Sequence, residues 1–528
     1  VQTYKLLLPF KEKVEIIFLV YIMFLLPIQY IDHKKVNPCI LQELDLIDSK
    51  ETPIYHRVFG ENPMASQFAS YFTTNTTFLK DSVSIYKKQF PTADTSFVSH
   101  WKTLKDNKEF KLTYQYVESS WVSCLNDSPT FLWWISTYFL ASPALFVLTP
   151  LLMLLFPFVL LYSKGIVIDW KTYRSTLQLL PHPLFNVLKY DPAQQMNKIG
   201  GLIFYFVQVY VNMYTLYTFS KNWYQVKKVL DSFRTYASST LTRIYALEKM
   251  IQLDSYRSFS EELAIHKKRL ETWQKDCIPT SLWNIGSNRR FFYQLYDNKE
   301  MEQTIQYTTG FHQYMDCIES IRKKMGKKLN VCTFGKETRF RKAFYPILKP
   351  VKHTYTVENM VVTGPNASGK TTFLKQTMIN LLLSQQIGCG YYKSATICPF
   401  ENFVCYVNIP DTCGRDSLFQ AEARRCKEIM QESSKRTFCI FDELFSGTNP
   451  EEAVAAGTAM LHYLKETPMC FLLTTHFMDI CHKANIKTKQ MIQYQLKNGI
   501  SSQKGGIQVL ETMNFPSSFL KNAKELCA

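Results

Sequence analysis

The chain has no Cys-x-x-Cys pair, no internal repeat, no long low-complexity linker and no concentrated basic arm. Its fourteen cysteines are scattered. That excludes a zinc ribbon and a disulfide framework, and it fits free thiols in a reducing compartment. Charge is absent from residues 128–163. No small-residue cleavage site follows the apolar run at 16–31, so that run does not read as a signal peptide. The chain opens on Val1, and an initiator or leader is expected ahead of it. A length of 528 residues favours about three or four domains.

What is present begins with Gly364-Pro365-Asn366-Ala367-Ser368-Gly369-Lys370-Thr371-Thr372, which fits the phosphate-binding pattern G-x-x-x-x-G-K-[ST]. The apolar, β-branched run Met360–Thr363 reads as a buried strand, and Thr372–Leu383 reads as a helix. A strand, a glycine turn and a helix N-terminus aim backbone N–H groups at one point, which suits a polyphosphate. Lys370 is expected to reach the β- and γ-phosphates of ATP, and the Thr371 hydroxyl to ligate Mg²⁺.

A second buried strand, Thr437–Phe441, leads into Asp442-Glu443. Asp442 is read as the metal-side carboxylate and Glu443 as the general base toward an attacking water. A third strand, Met469–Thr474, leads to Thr475-His476. A lone histidine in this position is ordinarily structural. In series with the other two motifs, His476 reads as a residue that senses or orients the γ-phosphate. Between the first two motifs, Asp411–Glu422 is a polar turn and helix start, whose plain reading is a helix cap at Asp416 or Ser417.

Together these motifs resemble the ATPase domain of the MutS family of mismatch-repair proteins. Thr363-Gly364-Pro365-Asn366 matches the T-G-P-N opening of its phosphate loop. Asp442-Glu443 with Ser446-Gly447-Thr448 resembles D-E-x-x-x-G-T, and Thr474-Thr475-His476 resembles A-T-H. Gly414–Phe419 resembles G-R-S-x-F with one residue added, and Tyr494–Val509 resembles the small-residue stretch that closes the domain. The likeness covers about residues 336–528, a little over a third of the chain. It implies an α/β P-loop ATPase of ABC/MutS type that dimerises face to face with a second copy or a related subunit. Ser417 of one subunit would then complete the nucleotide site of the other, with the added residue leaving its register open by one position. The family also sets an aromatic against adenine shortly before the loop. Tyr345 and Tyr355 are the candidates.

The rest of the chain carries weaker signals. Residues 221–335 show apolar residues at three and four, as in long helices, and their position matches the family's core and lever helices. Within 128–220, the run 143–162 is long enough to cross a ~30 Å hydrocarbon core and is flanked by Trp133, Trp134, Tyr162 and Lys164. Pro143, Pro150 and Pro157 recur every seven residues on nearly one helix face. The bland alternative is a buried core helix. A second span at 199–220, in the same region, and a short one at 16–31, in an otherwise unassigned region 1–127, complete the candidates. Basic residues in 163–199 place that loop on the cytosolic side. This favours spans at 16–31 and 143–162 over a hairpin of 143–162 and 199–220.

The net charge of +17 divides as +7 in 336–528 and +10 before it, compatible with nucleic acid or an anionic membrane. Phe10-Lys11-Glu12 spells the family's mismatch-stacking Phe-x-Glu, but among 38 phenylalanines such a triplet arises by chance. The expectation is an intracellular, membrane-anchored ATPase with its catalytic domain in the cytosol, coupling ATP hydrolysis to binding of mismatched or branched DNA. The alternatives are a membrane-associated ATPase with a non-repair partner and, less favoured, an ABC-type transporter subunit.

Overall fold

The computed structural model describes residues 24–528 apart from 49–51, 108–109, 111–113, 115, 118, 120, 181, 184–194, 282, 347–348, 408–417, 433–434, 502–512, 514 and 528. Ser417, the Phe10-Lys11-Glu12 triplet, residues 16–23 of the first apolar run and the latter half (502–509) of the closing small-residue stretch fall outside the described residues. The chain divides into two compact units. One comprises 1–91, 244–264 and 310–528, and the other 92–243 and 265–309.

The first unit holds strands β1 (Lys34–Lys35), β2 (Tyr71–Phe72), β3 (Asn330–Phe334), β4 (Arg339–Ala343), β5 (His353–Thr356), β6 (Met360–Thr363), β7 (Cys389–Gly390), β8 (Ser394–Ile397), β9 (Asn402–Tyr406), β10 (Thr437–Asp442), β11 (Cys470–Thr475), β12 (Lys487–Ile492) and β13 (Gln495–Asn498). The larger sheet has the order β13-β12-β6-β11-β10-β9. Its five inner members run parallel, and β13 closes the edge antiparallel to β12. β6 is buried at all four positions, and β10 and β11 at five of six each. Unbroken apolar runs of this kind mark strands covered on both faces. The second sheet, β5-β4-β8-β3-β7, is mixed.

The phosphate-loop helix Lys370–Ile387 is buried at 15 of its 18 residues, so its polar side chains need internal partners. Gln385 exchanges two 2.8 Å hydrogen bonds with the Phe400 backbone. Gln386 donates to Ala69 O at 3.1 Å and accepts from the Tyr55 hydroxyl. Thr73 N donates to Gln385 O at 3.0 Å. Residues 54–86, whose helices include Ile54–Phe59 and Thr76–Tyr86, thus wrap the helix on the side away from the sheet.

This grouping differs from the sequence division, which kept 1–127 apart from the ATPase region. Residues 24–91 carry no motif. Their role lies in satisfying another helix's amides, which leaves no local pattern. The end of the 16–31 run also departs from a membrane span. Pro27–Tyr30 is a 3₁₀ turn, and Phe24, Leu26 and Ile28 are buried. Phe24 packs edge-on against Phe259 and Phe311 at 6.1 and 6.4 Å. Their apolar character serves a protein core.

The second unit is helical. The 35-residue helix Pro129–Ser163 runs unbroken through Pro143, Pro150 and Pro157. These prolines are buried together with Leu132, Ser136 and Leu161, while Leu148, Leu151, Leu152, Leu155 and Val159 on the same helix are exposed. A second helix, Gln195–Glu248, contains Ile203, Phe204, Val207 and Val211, also exposed. The two helices meet where the Tyr205 hydroxyl donates to Phe146 O at 3.0 Å.

Helix Ile285–Asp297 packs against the base of the first. There the fully buried Arg289 donates to Ser136 Oγ at 2.8 Å, Tyr114 O at 3.0 Å and the Tyr293 hydroxyl at 2.8 Å, and it lies 4.8 Å over the Tyr114 ring. The approach is closest at Gly286, where a Cβ would stand 2.0 Å from Pro129 O and 2.8 Å from Trp133 N. Backbone on both sides leaves nothing flexible to yield. Gly286→Ala should therefore lower unfolding stability by about 1–3 kcal/mol, read as a fall in Tm; an unchanged Tm would contradict this packing.

Candidate nucleotide site

The site lies where β6, β10 and β11 end side by side. Parallel register sets Thr475 opposite Thr363 and Asp442 opposite Thr474. The loop after β6, the carboxylates at the end of β10 and the polar pair ending β11 therefore share one sheet edge, where ligands of open α/β sheets bind. Gly369 caps the helix Lys370–Ile387 in the left-handed region (φ 96°), and a Cβ there would meet the Tyr494 ring at 3.0 Å. Both constraints require glycine.

Lys370 is buried. Its ammonium donates to Gly364 O at 2.8 Å and Pro365 O at 3.1 Å, and stands 3.8 Å from Glu443 Oε1. Burial draws its pKa below the ordinary lysine value, and Glu443 and Asp442 oppose that shift. The side-chain oxygen of Ser368 is buried without a protein partner. Asn366 and Ala367 form the exposed tip of the loop, and Ala367 takes a positive φ of 59°.

Asp442 is held from both sides. Thr371 Oγ1 donates to its Oδ2 at 2.8 Å, and Thr474 Oγ1 donates to its Oδ1 at 2.5 Å. Glu443 follows in the left-handed region (φ 52°), a conformation costing roughly 1–2 kcal/mol for a residue bearing a Cβ. Its N–H donates to Thr474 O at 3.1 Å, and this ladder contact holds it there. The turn separates the two acids, with Asp442 aimed at the loop helix and Glu443 part-exposed beside Lys370. His476 is exposed just beyond β11, its ring 4.1 Å from that of its neighbour Phe477 and tilted at 42° to it. It shares the sheet edge with the phosphate loop. Downstream of Glu443, buried Glu422 accepts from Ser446 Oγ and Gly447 N, both at 3.2 Å, pinning the Ser-Gly-Thr segment.

A cavity of about 320 Å³ opens beside Gly369, and its walls include Tyr345, Val351, His353, Phe373, Gln376 and Tyr494. Of the two aromatics proposed for adenine, Tyr345 lines it. Tyr355 does not: it is buried, packs on Phe373 at 4.8 Å and has its hydroxyl 2.7 Å from Thr377 Oγ1. Sequence reasoning missed the opposite wall. Gln493 and Tyr494 both take positive φ (46° and 63°) in the two-residue turn joining β12 to β13. That conformation normally selects Asn-Gly, so Gln-Tyr gave no hairpin signal. His353 braces the turn, with Nε2 2.8 Å from Tyr494 O and Nδ1 3.2 Å from Gln376 Oε1.

The donor set fits a nucleoside triphosphate with Mg²⁺. A cation sits inside a glycine loop, a buried hydroxyl has no protein partner, and a hydroxyl–carboxylate pair stands next to it. No cluster of three or more His, Cys, Asp or Glu suited to a metal occurs among the described residues. Mg²⁺ commonly needs only one or two protein carboxylates when phosphates supply further oxygens.

Fold and site together define a P-loop ATPase-type domain. Comparison with known proteins narrows the class: residues 360–528 match the family model MutS domain V. The chain is 28% identical over 221 residues to MutS protein homolog 4 of Mus musculus, covering 35% of this chain and 23% of that protein. It is 26% identical over 214 residues to DNA mismatch repair protein MutS of Thermus thermophilus, covering 37% and 26%. Endonuclease MutS2 of Staphylococcus saprophyticus aligns at 28% over 148 residues, covering 26% and 19%. Residues 360–528 are therefore a MutS domain V, a P-loop ATPase-type domain, and it is this part of the chain that is similar to MutS-family proteins. It spans about a quarter or less of the length of these relatives.

Thr474 was read only as part of a motif, yet it holds the inner oxygen of Asp442. Thr474→Val should leave the fold intact and lower Mg²⁺-dependent ATP turnover about 10–100-fold, as loss of a partner that orients a metal ligand does. Turnover and circular dichroism measured side by side check this, and wild-type turnover would refute the role.

Proposed function

We propose that the chain binds Mg²⁺-ATP at Gly364–Thr372 and hydrolyses it to ADP and phosphate in a composite site shared with a second copy or a related MutS-like subunit. The nucleotide state is coupled to binding of mismatched or branched DNA. The observation that carries this reading is the clasp on Asp442 by Thr371 and Thr474, set beside the Lys370–Glu443 pair.

The loop N–H groups of Asn366 to Thr372 and the Ser368 hydroxyl face the phosphates, and Lys370 binds their β- and γ-oxygens. Thr371 and Asp442 would hold Mg²⁺, and the ion would supply charge neutralisation on the phosphates. Glu443 accepts the proton of the attacking water, and His476 orients the γ-phosphate or that water. Adenine enters the cavity between Tyr345 and Tyr494. Ser417 of the opposing subunit closes the site over the γ-phosphate.

The DNA partner rests on kinship. The relatives include a DNA mismatch repair protein and an endonuclease by name. Glu443→Gln should retain ATP binding and lose about 10²–10⁴-fold in turnover, the usual worth of a general base. Turnover near wild type would reassign the base. Filter binding of homoduplex and mismatched DNA, with and without ATP, tests the partner. No DNA affinity at moderate salt and no DNA-stimulated hydrolysis would sink the DNA reading while leaving the ATPase intact.

A second reading is favoured by the apolar helices: a membrane-anchored ATPase using the MutS-type engine on a non-repair partner, its catalytic domain in the cytosol. Helices Pro129–Ser163 and Ile199–Glu248 have most apolar windows of mean hydropathy 2.6 and 1.4, buried at only 11% and 6% of positions. The contact of Tyr205 with Phe146 supports the hairpin of 143–162 with 199–220 over a pairing of 143–162 with 16–31. The expressed protein should remain in the membrane pellet after carbonate extraction. Deleting 143–220 should release it, and release of the full chain by carbonate would exclude an integral hairpin.

A further inference from the structure

A second cavity in the same unit, of about 500 Å³, is ringed by Arg57, Lys323, Lys324, Lys327, Lys328 and Lys352, with Phe344, Pro346, Pro350 and Tyr391 completing the wall. Among the described residues, no carboxylate lines it. We propose that this cavity is a binding site for a compact, multiply phosphorylated anion, separate from the nucleotide site.

The cations come from different elements. Arg57 lies on helix Ile54–Phe59, Lys323 and Lys324 end the helix Lys299–Lys324, and Lys352 precedes β5. Lys327 and Lys328 sit on a tight turn made by Gly326 in the left-handed region (φ 78°), whose N–H donates to Leu329 O at 2.8 Å. Lysines at a helix C-terminus have an ordinary explanation in the helix dipole. That does not account for Arg57 and Lys352, which reach the same void from elsewhere.

Local partners satisfy only part of the charge. Lys323 stands 3.7 Å from Glu319, which is also bound by Arg322 at 2.6 Å. Arg57 and Lys324 donate to the backbone carbonyls of Thr52 (3.2 Å) and Val58 (2.8 Å). Burial draws the Lys324 ammonium below its ordinary pKa, and the neighbouring Lys328 charge adds to that fall. Like charges so gathered repel, and a multivalent anion removes the repulsion while gaining charge-assisted hydrogen bonds.

The volume lies within the usual ~300–1,000 Å³ of small-molecule sites. Convergence on one recess suits a compact ligand better than the extended phosphate track of a duplex. The shared chemistry is a cluster of phosphates on a small core, either a free polyphosphate or the head group of a phosphorylated lipid. Residues 344–346 and 349–353, which follow β4 and lead into β5, contribute to the walls of both this cavity and the base cavity. Phe344, Pro346 and Lys352 line the basic side, Tyr345, Val351 and His353 the other, and Pro350 touches both.

The test uses the full chain carrying Lys370→Ala, so that the phosphate loop does not compete for anions. Calorimetric titration with inositol hexakisphosphate and with inorganic tripolyphosphate should show saturable binding. Lys327→Glu/Lys328→Glu, on the exposed turn, should weaken that binding at least tenfold with the Tm unchanged. Vesicles containing phosphatidylinositol bisphosphate are compared with phosphatidylserine vesicles of equal charge. A preference for the former that the double variant loses identifies the lipid source, and equal binding alongside the soluble titration identifies the free one. Three results would overturn the proposal: no saturable binding of either soluble probe and no lipid preference, wild-type affinity in the double variant, or tighter, equally Lys327/Lys328-dependent binding of a short DNA duplex, which would make the cavity part of a nucleic-acid surface.

Discussion

The Asp442 carboxylate is the point on which the catalytic half of the molecule depends. One oxygen is bound by Thr371 at the start of the loop helix and the other by Thr474 near the end of β11, so a single side chain fastens three segments remote in sequence. Backbone pairing alone brings the ends of β6, β10 and β11 to one edge, but it does not orient their side chains. The clasp does, and the left-handed turn at Glu443 follows from it. With Asp442 committed inward, the next residue must turn sharply to present its own carboxylate beside Lys370. Geometry thus separates two adjacent acids of the same chemistry, one facing the loop helix and one beside Lys370.

The burial of the loop helix is the second constraint, and it explains why the N-terminal segment is held where it is. A helix covered all round must hide Gln376, Asn380, Ser384, Gln385 and Gln386. Each unpaired amide in such a place would cost about 1–3 kcal/mol. Residues 54–86 supply partners for the far face: the Tyr55 hydroxyl, Ala69 O and the Thr73 backbone. The segment therefore contributes to the positioning of Lys370 and Thr371 without touching the phosphate loop. Gly388 shows how close this contact is, since a Cβ there would lie 2.6 Å from Val83.

The catalytic edge was legible because its chemistry is encoded locally. Met360–Thr363 and Thr437–Phe441 are apolar runs of strand length, and each hands its functional residue to the loop directly after it. What could not be read comes from distance or from sequence that breaks its own rule. Tyr494 reaches Gly369 through a turn that should carry Asn-Gly, and Tyr345 could be separated from Tyr355 only by seeing which side of the chain each ring takes. Lys323-Lys324 and Lys327-Lys328 were visible as two pairs, but they do not read as a basic arm. Arg57 and Lys352, which turn them into a cavity, are 266 or more and 24 or more positions away. The role of residues 24–31 was obscured for a different reason. Membrane spans and buried turns draw on the same apolar residues, and only length separates them.

The uncharged helix poses the sharper physical problem. Its buried positions, Leu132, Ser136, Pro143, Pro150, Pro157 and Leu161, form one stripe spaced at four and seven. The stripe carries the prolines, so the residues that weaken a helix in water are turned toward protein. Leu148, Leu151, Leu152, Leu155 and Val159, which would hold a water-soluble helix in a core, are turned out. A soluble helix arranges these groups the other way. At the opposite extreme, Arg289 is buried among Ser136, Tyr114 and Tyr293 at the base of the same helix, where hydroxyl and carbonyl oxygens answer its charge. Polar groups are sequestered at one end, and apolar ones are displayed along the rest of a helix of about 52 Å.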